Sequence, residues 1–391
     1  METRQRFADK IDWGLLFLLM LFFIVSAMGI SSAQTSGQYG TNFVIRQAFW
    51  YVVGGIIIGG ALFLDSDQYK RLAWYIYGAG IFLLLVLLIS PESIAPYRNG
   101  AKSWFMLGPL GSIQPSEFMK TFLILALARI ITNHHELNPS KTLQTDFQLL
   151  VKIGATTLLP LAFIMQQPDL GTSLVILAIM TGIILVSGIT WKLIVPIYAS
   201  IGVLGGIILS LVIWAPELLE KYLNVKPYQF GRIYAWLDPY NYAKLEGFHL
   251  INSLNAIGSG QIFGKGYSDG EVYIPENHTD FIFSVIGEEY GFIGASVVIS
   301  LYFLLIYHLT KTALDTKEPF NAYVCAGIIS MITFHVFQNI GMTIQLLPIT
   351  GIPLPFISYG GSSLMGNMLA LGLVFSMRFH HKTYMFSSED S

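Results

Sequence analysis

The stretch PENHTDFIFSVIGEE, residues 275–289, sets His278, Thr279 and Asp280 directly against an apolar run. An aspartate there is reachable both from water and from a lipid head group. A helix N-cap is the ordinary explanation for one such residue, but the HTD and GEE neighbours point to a functional ionisable group. Glu288 and Glu289 follow, roughly 12 Å further into the membrane at 1.5 Å per helical residue, and there they need partners or protons. Ser284, Gly287, Gly291 and Gly294 recur on one face of the same run and predict close packing on another helix.

Three other places offer chemistry. In YRNGAKSWFMLGPLGSIQPSEFMK, Arg98 and Lys102 are candidate pyrophosphate ligands. Trp104 reads either as an interfacial anchor or as a platform for a sugar ring. Ser116 reads as the N-cap of a helix opening at Pro115, with Glu117 and Lys120 one turn apart on one face. That pair is either a stabilised first turn or the mark of a polar cavity, because ionisable groups at membrane depth are costly. QQPDLGT, residues 166–172, places Asp169 at a helix start, where it can cap and still face a cavity. LLPITGIPLPFISYGGSS carries Pro348, Pro353, Pro355, Gly360 and Gly361, so it cannot be a continuous helix. It forms either a tight surface turn or irregular backbone lining a cavity, where Ser358, Ser362 and Ser363 can hold a phosphate at the next helix start.

These residues are set in a very apolar chain. Of 391 residues 53% are hydrophobic and 12% charged, and the mean hydropathy is +0.59, which identifies an integral membrane protein. Apolar runs near 13–30, 45–64, 72–90, 117–132, 148–165, 171–189, 191–214, 281–310, 320–342 and 361–378 predict an all-α polytopic fold of ten spans. The fourth is short and must extend past Thr132. A long extracellular loop, 215–280, separates spans seven and eight, and 1–391 is read as a single domain. Lys and Arg concentrate in the loops on one side, which predicts both termini in the cytoplasm and the polar segments outside. The first run follows Arg4, Arg6 and Lys10 and is read as an uncleaved anchor.

Some chemistries find no support. Cys325 is the only cysteine, and the eight histidines form no zinc-ligand pattern. GSGQIFGKG lacks the glycine and the Ser or Thr that a Walker loop requires, which removes nucleotide binding; Lys265 in that turn is at most a weak anion ligand. The aromatic segments 227–240 and 247–267 read as seated at the membrane interface.

The motifs NGAKSWF (99–105), IQPSEFMK (113–120), QQPDLGT (166–172), RIYAWLDP (232–239), AIGSGQIFGKG (256–266), PENHTDFIFSVIGEEYG (275–291) and LPITGIPLPFISYGGSS (347–363) occur in order along nearly the whole chain. Together they resemble the SEDS family (shape, elongation, division and sporulation), and TGIPLPFISYGGSS is closer to its elongation branch. The resemblance implies a bacterial peptidoglycan glycosyltransferase that polymerises lipid II on the outer face of the cytoplasmic membrane. It implies Asp280 as catalytic base, and inversion at the anomeric carbon. Arg98, Lys102, Lys120 and a divalent cation, magnesium or manganese, are expected at the pyrophosphate, with Glu117 and Asp169 orienting Lys120 or the metal. Expected partners are lipid II, lipid-linked glycan, membrane lipids and a class B penicillin-binding protein, a transpeptidase; no nucleic acid is expected. Two rival readings remain at this level: a flippase for lipid-linked precursors, and a noncatalytic scaffold.

Overall fold

A computed structural model describes residues 10–35, 42–97, 100–106, 108, 111–218, 230–243 and 246–380. Each of the ten apolar runs lies on a helix: α1 (Trp13–Thr35), α2 (Phe43–Ala61), α3 (Ser66–Ile89), α4 (Pro115–Leu137), α5 (Leu143–Met165), α6 (Leu170–Val186), α7 (Trp191–Trp214), α10 (Ile282–Asp315), α11 (Pro319–Thr343) and α12 (Gly361–Phe379). Two short helices, α8 (Gly231–Leu237) and α9 (Glu246–Ser259), lie in the long segment before α10. A two-residue hairpin, β1 (Phe105–Met106) and β2 (Ser112–Ile113), precedes α4. Among the described residues seven helices are long and apolar enough to cross a membrane: α1, α2, α3, α5, α7, α10 and α11. The apolar α6 is shorter.

The central helix is α4, packed against α3, α5, α6, α11 and α12. It is the one that carries Glu117, Lys120 and Arg129, and protein rather than lipid surrounds most of it: Leu123–Ala128 are all buried. The helices α2 and α7 lie at the periphery, and Ile194 and Val212 are the buried residues of α7. Its remaining apolar side chains suit a hydrocarbon surround. One end of the bundle carries the hairpin, α8, α9 and the 344–360 segment; we call it the long-loop end. At the opposite end buried Asp12 accepts from the Leu15 amide and binds His308 (2.6 Å) and Arg378 (3.2 Å), tying the start of α1 to α10 and the end of α12.

Two expectations are corrected here. The helix α4 begins at Pro115, with Gln114 at the N-cap position and no side-chain cap; Ser116 is buried inside the first turn with its hydroxyl unbonded. Proline's fixed φ and missing N–H suit the first helical position and set the boundary one residue before it. The eighth apolar run is not one straight span. Gly291 has φ 60 and ψ −155 and breaks α10 into Ile282–Tyr290 and a second segment. Gly291 is therefore both a break in the backbone and a close contact, since a Cβ there would lie 2.5 Å from the Gly264 amide nitrogen, and this break decides where Glu288 and Glu289 go. Glu289 accepts from Ser32, near the long-loop end of α1. Glu288 accepts from Lys265 Nζ at 2.8 Å and from the Glu271 amide at 2.9 Å, and Lys265 also pairs with exposed Glu271. Both carboxylates thus belong to the long-loop end instead of lying deeper in the bundle. Ser284 and Gly287 do face a neighbouring helix, α9, through Ser253 and Ile257.

The contact between α9 and α10 is tight because Gly260 lets backbones touch: a Cβ there would lie 2.0 Å from the Gly287 carbonyl oxygen. Gly55, on α2, has nothing within 4 Å of that position. Gly260→Ala is expected to cost about 1–3 kcal/mol, read as a lowered unfolding midpoint in detergent, with Gly55→Ala close to wild type. Equal midpoints for the two variants would show that the close approach contributes nothing.

Candidate functional site

A cavity of about 350 Å³ opens at the long-loop end, and Asp280 lines it together with Trp104, Glu117, Asp169, Arg232 and Glu276. Its far wall is the irregular segment 350–353 and the turn 359–363. Sequence and local geometry explain why each arrives there. Asp280 sits in a turn just before α10, so it does not cap that helix. Asn339 of α11 holds that turn by donating to the carbonyls of Asp280 and Ile352, each at 2.8 Å. Ser358 donates to the Thr279 carbonyl at 2.6 Å, and the Tyr359 amide donates to the His278 carbonyl at 2.9 Å. The proline-rich segment is in this way clamped to the HTD turn. Gly351, at φ +71, brings its backbone so close that a Cβ would lie 3.3 Å from the Asp280 carboxylate.

The electrostatics of Asp280 follow from this enclosure. Protein surrounds it, and burial raises its pKa to about 7; nearby Glu276 raises it further and Arg232 partly opposes both. The carboxyl group therefore exchanges its proton near neutral pH. Burial also pushes His278 down to about 4, so that ring, stacked on Phe43 with centroids 4.3 Å apart, is neutral.

Behind the cavity wall Lys120 is 1% exposed and donates to Glu117 at 2.8 Å. Its ammonium also lies 3.0 Å from His335 Nε2. With the lysine as donor, Nε2 accepts, so the ring hydrogen is on Nδ1, 3.4 Å from the Pro353 carbonyl. Lys120 is therefore held between α4, α11 and the 350–353 segment. Asp169 both caps α6, through the Thr172 amide at 2.9 Å, and faces the cavity, where it accepts from Gln114 at 2.8 Å. The helix α12 starts at Gly360 with no side-chain cap, and Ser362 and Ser363 of its first turn line the cavity. Uncapped amides at a helix start suit an anion. Gly366 allows α12 to press against α4: a Cβ there would lie 2.8 Å from the Glu117 carbonyl.

Of the residues singled out from the sequence, Asp280, Trp104, Glu117, Asp169, Ser362 and Ser363 line the cavity, and Lys120 lies directly behind Glu117 and His335. Three are placed elsewhere. Lys102 donates to the carbonyls of Leu88 and Ser90 and so closes the end of α3. Ser358 is a clamp, bonded to Thr279 and accepting from the Leu354 amide. Lys265 serves the Glu288 and Glu271 carboxylates. Arg98 lies outside the described residues. Sequence reasoning missed His335, Arg232, Glu276 and Thr350. A lone histidine inside an apolar span was the available signal for His335, since polar groups at that depth require partners. The Thr350 hydroxyl is buried at the cavity wall and has no hydrogen-bond partner among the described residues. No three His, Cys, Asp or Glu side chains among the described residues gather as a metal site.

Comparison with known proteins agrees with the motif order. Residues 8–383 match the family model described as cell cycle protein, FtsW/RodA/SpoVE. The chain belongs to this family. Similar proteins include the peptidoglycan glycosyltransferase RodA of Treponema pallidum, 31% identical over 92% of this chain and 96% of the relative. The probable peptidoglycan glycosyltransferase FtsW of Bacillus subtilis is 37% identical over 95% of this chain and 91% of its own length. Among solved structures, a chain of a peptidoglycan synthase complex that coordinates polymerization and crosslinking superposes with a TM-score of 0.74, at 30% identity, covering 94% of this chain and 97% of that one. The rod shape determining protein RodA of Thermus thermophilus superposes with a TM-score of 0.65, at 29% identity over 94% of this chain and 96% of that one. As a family member this chain is an integral membrane protein of the SEDS fold.

The buried pair generates a prediction. Lys120→Met leaves Glu117 enclosed without its cation and is expected to cost about 3–5 kcal/mol, whereas Glu117→Gln combined with Lys120→Met recovers most of that loss. Unfolding midpoints of the single and double variants in detergent measure the coupling; strict additivity would show that the two side chains do not act as a pair.

Proposed function

We propose that this protein is a peptidoglycan glycosyltransferase that polymerises lipid II into glycan strands during cell elongation. The observation that carries the reading is the Asp280 carboxylate, enclosed at one end of a membrane bundle with its pKa raised to about 7 and sharing its cavity with the start of α12. A general base is most effective when its pKa lies near the working pH. In the reaction Asp280 takes the proton of the acceptor sugar's 4-hydroxyl as that oxygen bonds to the anomeric carbon of the donor. The bond from that carbon to the pyrophosphate breaks, and the electron pair leaves with the polyprenyl pyrophosphate. One displacement inverts the anomeric centre, so one base is enough.

Developing charge on the pyrophosphate is met by Lys120 and by the first-turn amides of α12 with Ser362 and Ser363, which are preorganised by the packing described above. Glu117 and His335 orient the lysine. Trp104 offers its ring to a sugar at the cavity wall. Since Glu117 is engaged with Lys120 and Asp169 with Thr172 and Gln114, the mechanism is written with the protein's own cations, and a divalent ion has no step in it. The long-loop end then faces outward, both termini face the cytoplasm, and both substrates reach the cavity from the bilayer. The excess of Lys and Arg at the opposite end supports that orientation. A class B penicillin-binding protein is the proposed partner, in keeping with the synthase complex to which the chain is similar. A site at one end of the bundle favours transfer over carriage, since a carrier needs its charges near the midplane.

Purified protein, alone and with that partner, is expected to make long strands from lipid II on a gel. The rate should rise with pH through about 7 as Asp280 loses its proton. Asp280→Asn is expected to lower the rate by roughly 10²–10⁴-fold and abolish that limb. Strands of equal length and rate from a folded Asp280→Asn variant would overturn the assignment, and lipid II crossing vesicle membranes without strand formation would favour a flippase.

A further inference from the structure

One wall of the Asp280 cavity carries a polar group that the displacement at Asp280 does not use. Thr350 lines the cavity and is 8% exposed, and its enclosed hydroxyl has no hydrogen-bond partner among the described residues. Other hydroxyls of the same lining are bonded: Thr172 donates to Asp169, Thr279 to the Glu276 carbonyl and Ser362 to the Ser112 carbonyl. A loose backbone is not the reason for the difference. Before Thr350 the Pro348 carbonyl accepts from Gln338 at 2.9 Å, and after it the Ile352 carbonyl accepts from Asn339 at 2.8 Å. Ile349 packs against the cluster of Ala256, Ile274 and Phe281, and Ile352 belongs to the main core.

The position of Thr350 is set from two directions. The start of α6 presses on it, since a Cβ on Gly171 would lie 3.3 Å from the Thr350 carbonyl oxygen and 2.9 Å from the Ile352 side chain. The next residue, Gly351, approaches the Asp280 carboxylate, which a Cβ there would meet at 3.3 Å. Thr350 therefore stands on the stretch of wall that joins Asp280 to the helix start capped by Asp169. An enclosed hydroxyl without a partner lowers stability, and valine has the same shape without that cost. Threonine, for its part, exchanges its hydroxyl and methyl positions by a turn of roughly 120° about χ1, with the backbone at rest.

We propose that Thr350 is a specificity-determining residue whose hydroxyl bonds an acceptor-sugar hydroxyl flanking the reacting 4-hydroxyl. The inference rests on the glycosyltransferase reading, in which the acceptor 4-hydroxyl lies at Asp280. On a hexopyranose the flanking groups are the 3-hydroxyl and the 6-hydroxyl, and the wall beside Asp280 is where they lie. A side-chain hydroxyl both donates and accepts, so it can pair with either. A site built to bond a substrate hydroxyl discriminates against the analogue that lacks it, because its own polar group is then left unpaired.

Strand formation from lipid II by the full chain with its penicillin-binding partner tests this. Thr350→Val is expected to lower kcat/KM about tenfold, the loss of one neutral hydrogen bond, with an unfolding midpoint at or above that of wild type. Thr350→Ser keeps the hydroxyl and stays close to wild type. Two lipid II analogues, one lacking the 3-hydroxyl and one the 6-hydroxyl of the non-reducing sugar, identify the partner: one of them loses the same factor with the wild-type chain and is indifferent to Thr350→Val. A wild-type rate from Thr350→Val overturns the proposal. A lowered midpoint for Thr350→Val does so too, since the hydroxyl would then have a structural partner. Thr350→Ser as slow as Thr350→Val would assign the effect to the methyl group, and full sensitivity of both analogues to Thr350→Val would mean that the hydroxyl meets another group; either result sinks the assignment. Failure of the glycosyltransferase reading appears separately, as the absence of strands from the unsubstituted chain.

Discussion

Polar groups at membrane depth have no water to turn to, and nearly every feature of the site follows from that constraint. The 344–360 segment cannot be helical, because its prolines lack donors and block the helical path. It survives beside apolar helices because several of its carbonyls are taken up by side chains of neighbouring elements. Asn339 and Gln338 donate to it from α11, Tyr51 from α2 and Tyr302 from α10. The same bonds that satisfy this backbone hold it in place, and the cavity exists because the segment cannot collapse into it.

Charge is managed by the same means. Lys120 and Glu117 are enclosed together on α4, and His335 completes the shell from a second element, α11. Such a cluster costs desolvation energy and returns it as geometry: a buried cation with two fixed partners has little freedom to move when a substrate arrives. Asp280 is treated differently. No ion pair holds it among the described residues, and its enclosure leaves the proton loosely balanced near neutral pH. A cation held in place by its partners and a carboxylate kept ready to exchange a proton are what displacement at a sugar carbon asks of a protein.

The break at Gly291 shows how one backbone position organises a region. Because α10 turns there, its first nine residues run with α9 and the 260–271 loop at the long-loop end, touching α1 near Gly29 and Ser32, and the second segment continues toward the opposite end, where His308 meets Asp12. Glu288 and Glu289 consequently meet Lys265, loop amides and Ser32. They fasten the helix that follows Asp280, while the Asp280 carboxylate oxygens make no hydrogen bond or ion pair among the described residues.

Ten apolar runs, the Glu117–Lys120 pair on one helix face and the non-helical backbone of the proline-rich segment could all be read from residue types, because hydrophobic length and unsatisfiable backbone are local properties; whether that segment lines a cavity or turns at the surface could not. Asp280, Trp104, Glu117, Lys120, Asp169, Ser362 and Ser363 were legible as candidates for the same reason: each is a polar residue beside a run that excludes water. Which of the candidates meet was not legible. Lys102 and Lys265 carry the same charge as Lys120, and only the packing sends one to the end of α3, one to Glu288 and one to the cavity. Ser116 and the depth of Glu288 and Glu289 were misread because a helix start and a helix break depend on one residue's φ and on its neighbours. His335 and Arg232 come to the cavity from elements far apart in the chain, and a contact between distant segments leaves no period or spacing in a single sequence.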